Sequence, residues 1–144
     1  MDWTAAAVGA TPGLLALAWN MVSWERSGPV VEVTAVNELP VFGDDVGEDW
    51  FIGVVANNKG RSPITVEGFG FRTPEGGHIV TMRPPAWSDP LLHRLEPGAS
   101  ATFRSPSNEI RQVASERGLA LHKLRPFVRL AGDRYVFAKQ MPIE

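Results

Sequence analysis

The chain opens with an uncharged, mostly apolar stretch and continues in short runs where apolar and polar residues alternate. Residues 3–24 (WTAAAVGATPGLLALAWNMVSW) contain no charged side chain, and Asp2 is the only one before them. From residue 30 onwards the alternating runs are separated by Gly and Pro, a pattern typical of β-strands. The pattern divides the chain into an N-terminal hydrophobic segment, residues 1–26, and a strand-rich domain, residues 27–144.

The N-terminal segment is long enough to cross a bilayer as one helix. Its 22 uncharged residues would span about 33 Å, close to the thickness of the hydrocarbon core. Trp3 and Trp24 would then act as anchors at the two membrane interfaces, where indole rings are enriched. Pro12 and Asn20 weaken this assignment, and the stretch also suits a helix that packs against the domain or a neighbouring subunit. A membrane anchor and a packing arm are therefore the two alternatives.

The charges around this segment indicate an orientation. Arg26 is the only base near the segment, and the domain that follows it is basic, which favours a C-terminal domain in the cytoplasm. We therefore expect a single-pass membrane protein with a cytoplasmic domain. The alternative location is a virion or another soluble assembly, with residues 1–26 as the packing arm.

Seven segments of the domain read as β-strands: residues 30–36, 50–56, 64–72, 78–83, 99–104, 124–130 and 134–138. The dense apolar run 50–56 predicts a central strand. Gly68 and Gly70 predict a bulge or a close backbone approach, and Pro126 predicts an edge strand or a bulge. Frequent turns at this spacing indicate a mainly β fold, an immunoglobulin-like two-sheet sandwich of about seven strands.

One short helix is predicted before the last hairpin. Ser105 would cap its N-terminus, Pro106 would occupy its first position, and Gly118 would end it. Ile110, Val113 and Ala114 would form its apolar stripe. In the turn that precedes residue 64, Gly60 would supply a positive φ.

Two turn motifs resemble a known family. Residues 54–66 (VVANNKGRSPITV) resemble the strand–turn–strand of bacterial immunoglobulin-like accessory domains, where an Asn-x-Gly-x-x-Pro turn joins two sheets. Residues 95–101 (LEPGASA) resemble the entry to a later strand of those domains. With its N-terminal segment, the chain is similar to small bacterial and phage proteins that carry an N-terminal hydrophobic helix and such a domain. The resemblance implies a fold and transfers no catalytic residue.

The charge is unevenly distributed along a chain whose net charge is only −2. Residues 1–49 hold eight acids and one base, a net charge of −7, and residues 50–144 hold thirteen bases and eight acids, a net charge of +5. Ten arginines recur through the second part. Nucleic-acid binding would require these arginines to converge on one face beside exposed aromatics, and their scatter along the sequence argues against it.

The residues that could carry chemistry form no recognisable catalytic or metal-binding motif. The chain has no Cys, which excludes disulfides and thiolate metal ligands. His78, His93 and His122 lack metal-ligand spacing, and a triad of Ser88, Asp89 and His93 has no support beyond their nearness in sequence. We therefore expect a non-enzymatic protein without cofactor or small-molecule substrate.

Two features suggest where a protein partner would bind. Asp44, Asp45, Glu48 and Asp49 form the one carboxylate cluster, which suits a solvated loop, a weak Ca²⁺ site or a docking surface for basic residues. Trp87 lies in a Pro-rich segment, and it would either present an exposed aromatic to a partner or cover the open end of the sandwich. The sequence thus predicts a membrane-tethered interaction module that contacts other protein subunits, with a structural component of a phage virion as the alternative.

Overall fold

The computed structural model describes residues 28–42, 44–47 and 49–142, and for Phe42 and Val46 it describes the backbone alone. The predicted N-terminal helix, with Trp3 and Trp24, lies outside the described residues, and so does Glu48. Within the described ranges, no helix combines the length and the apolar character that a bilayer crossing needs.

The described part of the chain is mainly β. Its strands are β1 (Val31–Glu38), β2 (Val41–Phe42), β3 (Asp45–Val46), β4 (Phe51–Asn58), β5 (Ile64–Arg72), β6 (His78–Ile79), β7 (His93–Leu95), β8 (Ser100–Pro106), β9 (Arg125–Leu130) and β10 (Arg134–Phe137). One helix, α1 (Ser107–Glu116), and a single 3-10 turn (Leu121–Lys123) separate β8 from β9.

The strands form two antiparallel sheets that pack as a sandwich. The first sheet has the order β1-β4-β8, and the second has the order β10-β9-β5-β6. Strands β6 and β7 both pair with the same side of β5. Strand β7 pairs with the N-terminal end of β5, and β6 pairs with its C-terminal end. Strands β2 and β3 form a separate two-stranded ribbon. Consecutive strands β4 and β5 lie in different sheets, so the turn between them carries the chain across the sandwich.

The core lies between the two sheets and follows the alternation of the sequence. Along β4, Ile52, Val54 and Ala56 are buried, because every second side chain of a strand points to the same face. Phe103 of the first sheet and Phe69 of the second stack with ring centroids 5.4 Å apart. Ile110 and Ala114 of α1 belong to the same core, with Val113 packed against it, as the predicted stripe required.

All seven segments predicted as strands contain one, but the lengths differ. Strand β6 stops after Ile79 because the chain then crosses to the first sheet, where the buried hydroxyl of Thr81 hydrogen-bonds that of Ser105. The prediction of an edge strand at Pro126 is wrong, since β9 lies between β5 and β10. Pro126 is tolerated there because its backbone faces β10 beyond the last residue of that strand, where the Pro126 carbonyl accepts from the N–H of Ala138 at 2.8 Å and no ladder bond needs an N–H.

The glycines in β5 serve the two purposes that the sequence suggested. The pairing of β5 with β9 shifts between Val66 and Gly68, which is the predicted bulge. A Cβ on Gly70 would lie 2.6 Å from the carbonyl oxygen of Ile79, so only glycine allows this approach.

Three local predictions are wrong: the positive φ of Gly60, the cap at Ser105 and the place of Pro106 at the first helical position. Gly60 has no positive φ; a Cβ there would lie 2.2 Å from the carbonyl oxygen of Gly28, so glycine is needed for space. Ser105 does not cap the helix, because α1 starts later, with Pro106 at the cap position and no side-chain cap. Ser105 is a buried residue of β8 instead. Gly118 ends the helix region with a φ of 65°, as expected.

The buried side chain of Asn58 joins the crossing turn to the rest of the sandwich. Its amide nitrogen donates to the carbonyl oxygens of Ser62 (2.8 Å) and Leu95 (3.1 Å), and its side-chain oxygen accepts from the N–H of Gly60 (3.0 Å). Its backbone carbonyl accepts from the N–H of Gly98 at 2.7 Å. One residue therefore satisfies polar groups of both turn motifs found in the sequence.

Replacing Asn58 with alanine should destabilise the fold strongly. The change removes three hydrogen bonds made by a buried side chain, and we expect a loss of about 2–4 kcal/mol in the free energy of unfolding. Chemical denaturation of N58A beside the parent chain measures it. The control is N57A, because in the described part of the chain the Asn57 side chain accepts one hydrogen bond, from the Ser100 hydroxyl, and that bond is exposed. Equal losses in the two variants would contradict the role of Asn58.

Candidate functional site

The Pro-rich segment of residues 84–90 lies along the open edge of β8. The Ser88 hydroxyl accepts from the N–H of Arg104 (2.9 Å), and the Asp89 carboxylate accepts from the N–H of Thr102 (2.8 Å). The N–H of Asp89 in turn donates to the carbonyl oxygen of Thr102 at 3.1 Å. Side chains and backbone thus satisfy an edge whose free N–H and C=O groups would otherwise face solvent.

This segment places Trp87 against side chains on the outer face of the first sheet. The Arg104 guanidinium carbon lies 4.6 Å from the indole centroid, and the Phe51 ring meets the indole edge-on at 4.8 Å. Arg104 also donates to the carbonyl oxygen of Trp87 at 2.8 Å. These contacts fix the orientation of the indole. Because the residue is half-buried, part of the ring stays exposed to solvent.

A partly buried ion pair crosses the first sheet beside Trp87. Arg104 Nε on β8 lies 2.6 Å from Glu38 Oε2 on β1, and their side chains are 19% and 26% exposed. The bridge passes over Gly53 of the intervening β4, where a Cβ would lie 3.2 Å from the Glu38 carboxyl group. The absence of a side chain at residue 53 therefore leaves room for the pair.

These residues line an open cleft of about 410 Å³. We call it the Trp87 cleft, and its lining residues are Glu38, Leu39, Pro40, Val41, Trp87 and Arg104. Among the lining residues, the apolar side chain of Val41 is 60% exposed. Apolar surface bordered by charged groups is characteristic of a protein–protein contact site.

The structure connects two of the predicted contact features. Val41 belongs to the β2–β3 ribbon, and it lines the same cleft as Trp87. Asp44 and Asp45 lie on that ribbon, and they are exposed, as is Asp49. Among the described residues, none of these three carboxylates forms an ion pair.

Sequence reasoning missed Glu38, Phe51, Gly53 and Arg104 as parts of this site. Alternation places Glu38 and Arg104 on outward positions of their strands. Their pairing depends on both strands flanking β4, and no local pattern shows which strands are neighbours. The one available signal was Gly53, a residue without a side chain in an otherwise apolar strand.

The three histidines considered as metal ligands lie in different parts of the domain. His93 meets the Phe103 ring at 6.3 Å, His78 lies on the second sheet, and His122 lies in the 3-10 turn. In the ranges that the structure describes, no three His, Asp or Glu side chains gather as metal ligands. Lys59 lowers the pKa of Glu32 through an exposed ion pair on the first sheet.

Comparison of the chain with protein-family models and with curated protein sequences gave no match. The physical case for a function therefore rests on the surfaces of the domain.

The Glu38–Arg104 pair should couple more strongly than an exposed pair of the same sheet. A double-mutant cycle with E38A and R104A should give about 1–2 kcal/mol, because the pair is shielded and Arg104 is held by further hydrogen bonds. The matched cycle with E32A and K59A should give a clearly smaller coupling, since both groups are exposed and their attraction is screened by solvent. Urea unfolding of the parent chain and the six variants measures both couplings, and equal values would show that the shielding has no effect.

Proposed function

We propose that this chain is a non-enzymatic, immunoglobulin-like interaction module that binds a protein partner through the Trp87 cleft. The strand order supports the immunoglobulin-like assignment. Strands β1, β4 and β8 correspond to A, B and E of such domains, and β10, β9, β5 and β6 correspond to G, F, C and C′. The chain has no Cys, so the sheets are joined without the disulfide of antibody domains.

The observation that carries the proposal is a tryptophan held in place in a cleft that also exposes an apolar side chain. Arg104 and Phe51 fix the indole, and Val41, which lines the same cleft, is 60% exposed. Trp and Arg are the residues that most often dominate binding energy at protein interfaces. A side chain that is already fixed loses little conformational entropy on binding, which favours affinity.

The polar groups around the cleft support binding rather than catalysis. Ser88 and Asp89 hydrogen-bond the edge of β8, and Arg104 is engaged by Glu38 and by the Trp87 carbonyl. These side chains have structural partners, whereas a general base or nucleophile needs access to a substrate. No cofactor forms part of the proposal.

The N-terminal segment supplies the tether in this proposal. Residues 3–24 carry no charge and end in Trp residues, which suits a single membrane span with the domain in the cytoplasm. In the alternative, residues 1–26 pack on neighbouring subunits of a virion or another assembly. The partner of the Trp87 cleft is a protein in both cases.

Site-specific photo-crosslinking tests the cleft. A benzophenone amino acid replacing Val41 in the full chain should yield one discrete protein adduct in the native host, since Val41 borders Trp87. The same amino acid replacing Leu92, which is also exposed at 74%, is the matched control and should yield no such adduct. Adding W87A should abolish the Val41 adduct. Adducts of equal yield at both positions, or none at Val41, would contradict the proposal.

Fractionation tests the tether. The full chain should enter the membrane fraction and require detergent for release, whereas a chain starting at Ser27 should stay in the supernatant. If both chains stay in the supernatant and the full chain assembles without detergent, the packing arm is correct and the membrane anchor is wrong.

A further inference from the structure

The outer face of the second sheet brings arginines together around aromatic rings. Arg72 on β5 and Arg125 on β9 are directly opposite each other. Their guanidinium carbons lie 5.2 and 4.8 Å from the centroid of the Phe137 ring on β10. We call this surface the arginine–aromatic face, and its residues are Arg72, His78, Arg125, Phe127, Arg129, Tyr135 and Phe137.

Glycines in β5 make this face flat. The Arg129 side chain lies across Gly68, with Nε 3.5 Å from where a Cβ would be, and the Phe127 ring lies 3.3 Å from the same point on Gly70. Side chains of β9 thus lie over the backbone of β5. The rings of His78 and Tyr135 pack against Phe127, with centroids 4.7 and 5.3 Å away.

The positive charge of the face lacks internal compensation. Among the described residues, neither Arg72 nor Arg125 forms an ion pair, and Arg129 has one long contact of 3.9 Å, to exposed Asp133. Two like charges at opposite positions of a ladder repel each other. Both arginines also line an open cleft of about 390 Å³ with Lys123. The turn of residues 73–76 forms its other wall, and Glu75 is the one acid in the lining. This arrangement suits an anionic group.

An aromatic platform lies next to these cations. Tyr135 is 38% exposed, and its ring is within 18° of parallel to that of Phe137, with centroids 6.4 Å apart. A sheet face that offers flat rings beside arginines is the arrangement by which several protein modules stack unpaired bases and hold their phosphates. Nucleic-acid binding requires arginines that converge on one face beside exposed aromatic rings. The scatter of the arginines along the sequence argued against this, but the fold brings several of them together here.

We propose that the arginine–aromatic face binds single-stranded nucleic acid. A phosphodiester lies between Arg72 and Arg125 in the cleft shared with Lys123, and a base stacks on Tyr135. This activity goes beyond the protein contact proposed for the Trp87 cleft, which lies on the other sheet.

The features of the face favour this ligand over other anions. An acidic peptide would neutralise the arginines but would leave the rings unused. A bilayer surface is bound by apolar side chains that protrude into it, whereas Phe127 is 3% exposed and lies flat in the face. A duplex keeps its bases stacked inside and offers none to Tyr135.

Fluorescence anisotropy with the full chain and a labelled oligothymidylate of about 12 nucleotides tests the proposal. Binding should weaken as salt rises. The double variant R72Q/R125Q should lower the affinity at least tenfold and reduce the slope of log K against log salt by about 0.7, the value for one phosphate that is no longer neutralised. Y135A should lower the affinity several-fold and leave the slope unchanged, because stacking releases no counterion.

The control is R111Q/R117Q, which removes the same charge from exposed residues of α1 and of its C-terminal cap and should change the affinity less than twofold. Thermal unfolding checks that each variant folds, and R72K/R125K, which keeps the charge, should lose less affinity than R72Q/R125Q. An equal loss in the control, or no binding by the parent chain, would overturn the proposal. So would equal affinity for polyglutamate or for vesicles rich in phosphatidylglycerol, because the face would then bind polyanions or membranes without using its rings.

Discussion

The sandwich depends on the hydrogen bonds of one buried amide, that of Asn58. Strand β4 belongs to the first sheet and β5 to the second, so the chain must turn sharply between them, and it does so around the buried side chain of Asn58. Asn58 supplies two donors to the carbonyls of Ser62 and Leu95 and one acceptor to the N–H of Gly60. Without this amide, Leu95 would lose a buried hydrogen bond, and the turn would lose its side-chain link to β7 of the second sheet.

Glycines, which have no side chain, shape the outer faces of both sheets. On the first sheet, Gly53 leaves space for an ion pair that spans three strands. On the second sheet, Gly68 and Gly70 allow Arg129 and Phe127 to lie across β5. In each case a glycine, normally unfavourable in a strand, permits side chains from neighbouring strands to contact each other over it. Both surfaces proposed for binding thus depend on glycines within a strand.

The sequence contained most of the fold and little of the sites. Alternation located the seven main strands, and the glycines of β5 correctly predicted the bulge, because both signals are local. Pro126 was misread, since its meaning depends on the position of β9 within the sheet. For the same reason, the sequence did not reveal that Glu38 pairs with Arg104 or that Arg72 lies opposite Arg125. Each pair joins residues far apart in the chain, and strand order alone makes them neighbours.

The way in which β8 is covered has a consequence for how copies of this chain meet. Its exposed side is occupied by Ser88 and Asp89, and Arg104 of the same strand is held by Trp87. A β-segment from a second molecule would have to displace all of these contacts before it could form a ladder there. These contacts therefore oppose donor-strand exchange at this edge of the first sheet. They also oppose the open-ended fibrils that such exchange can start.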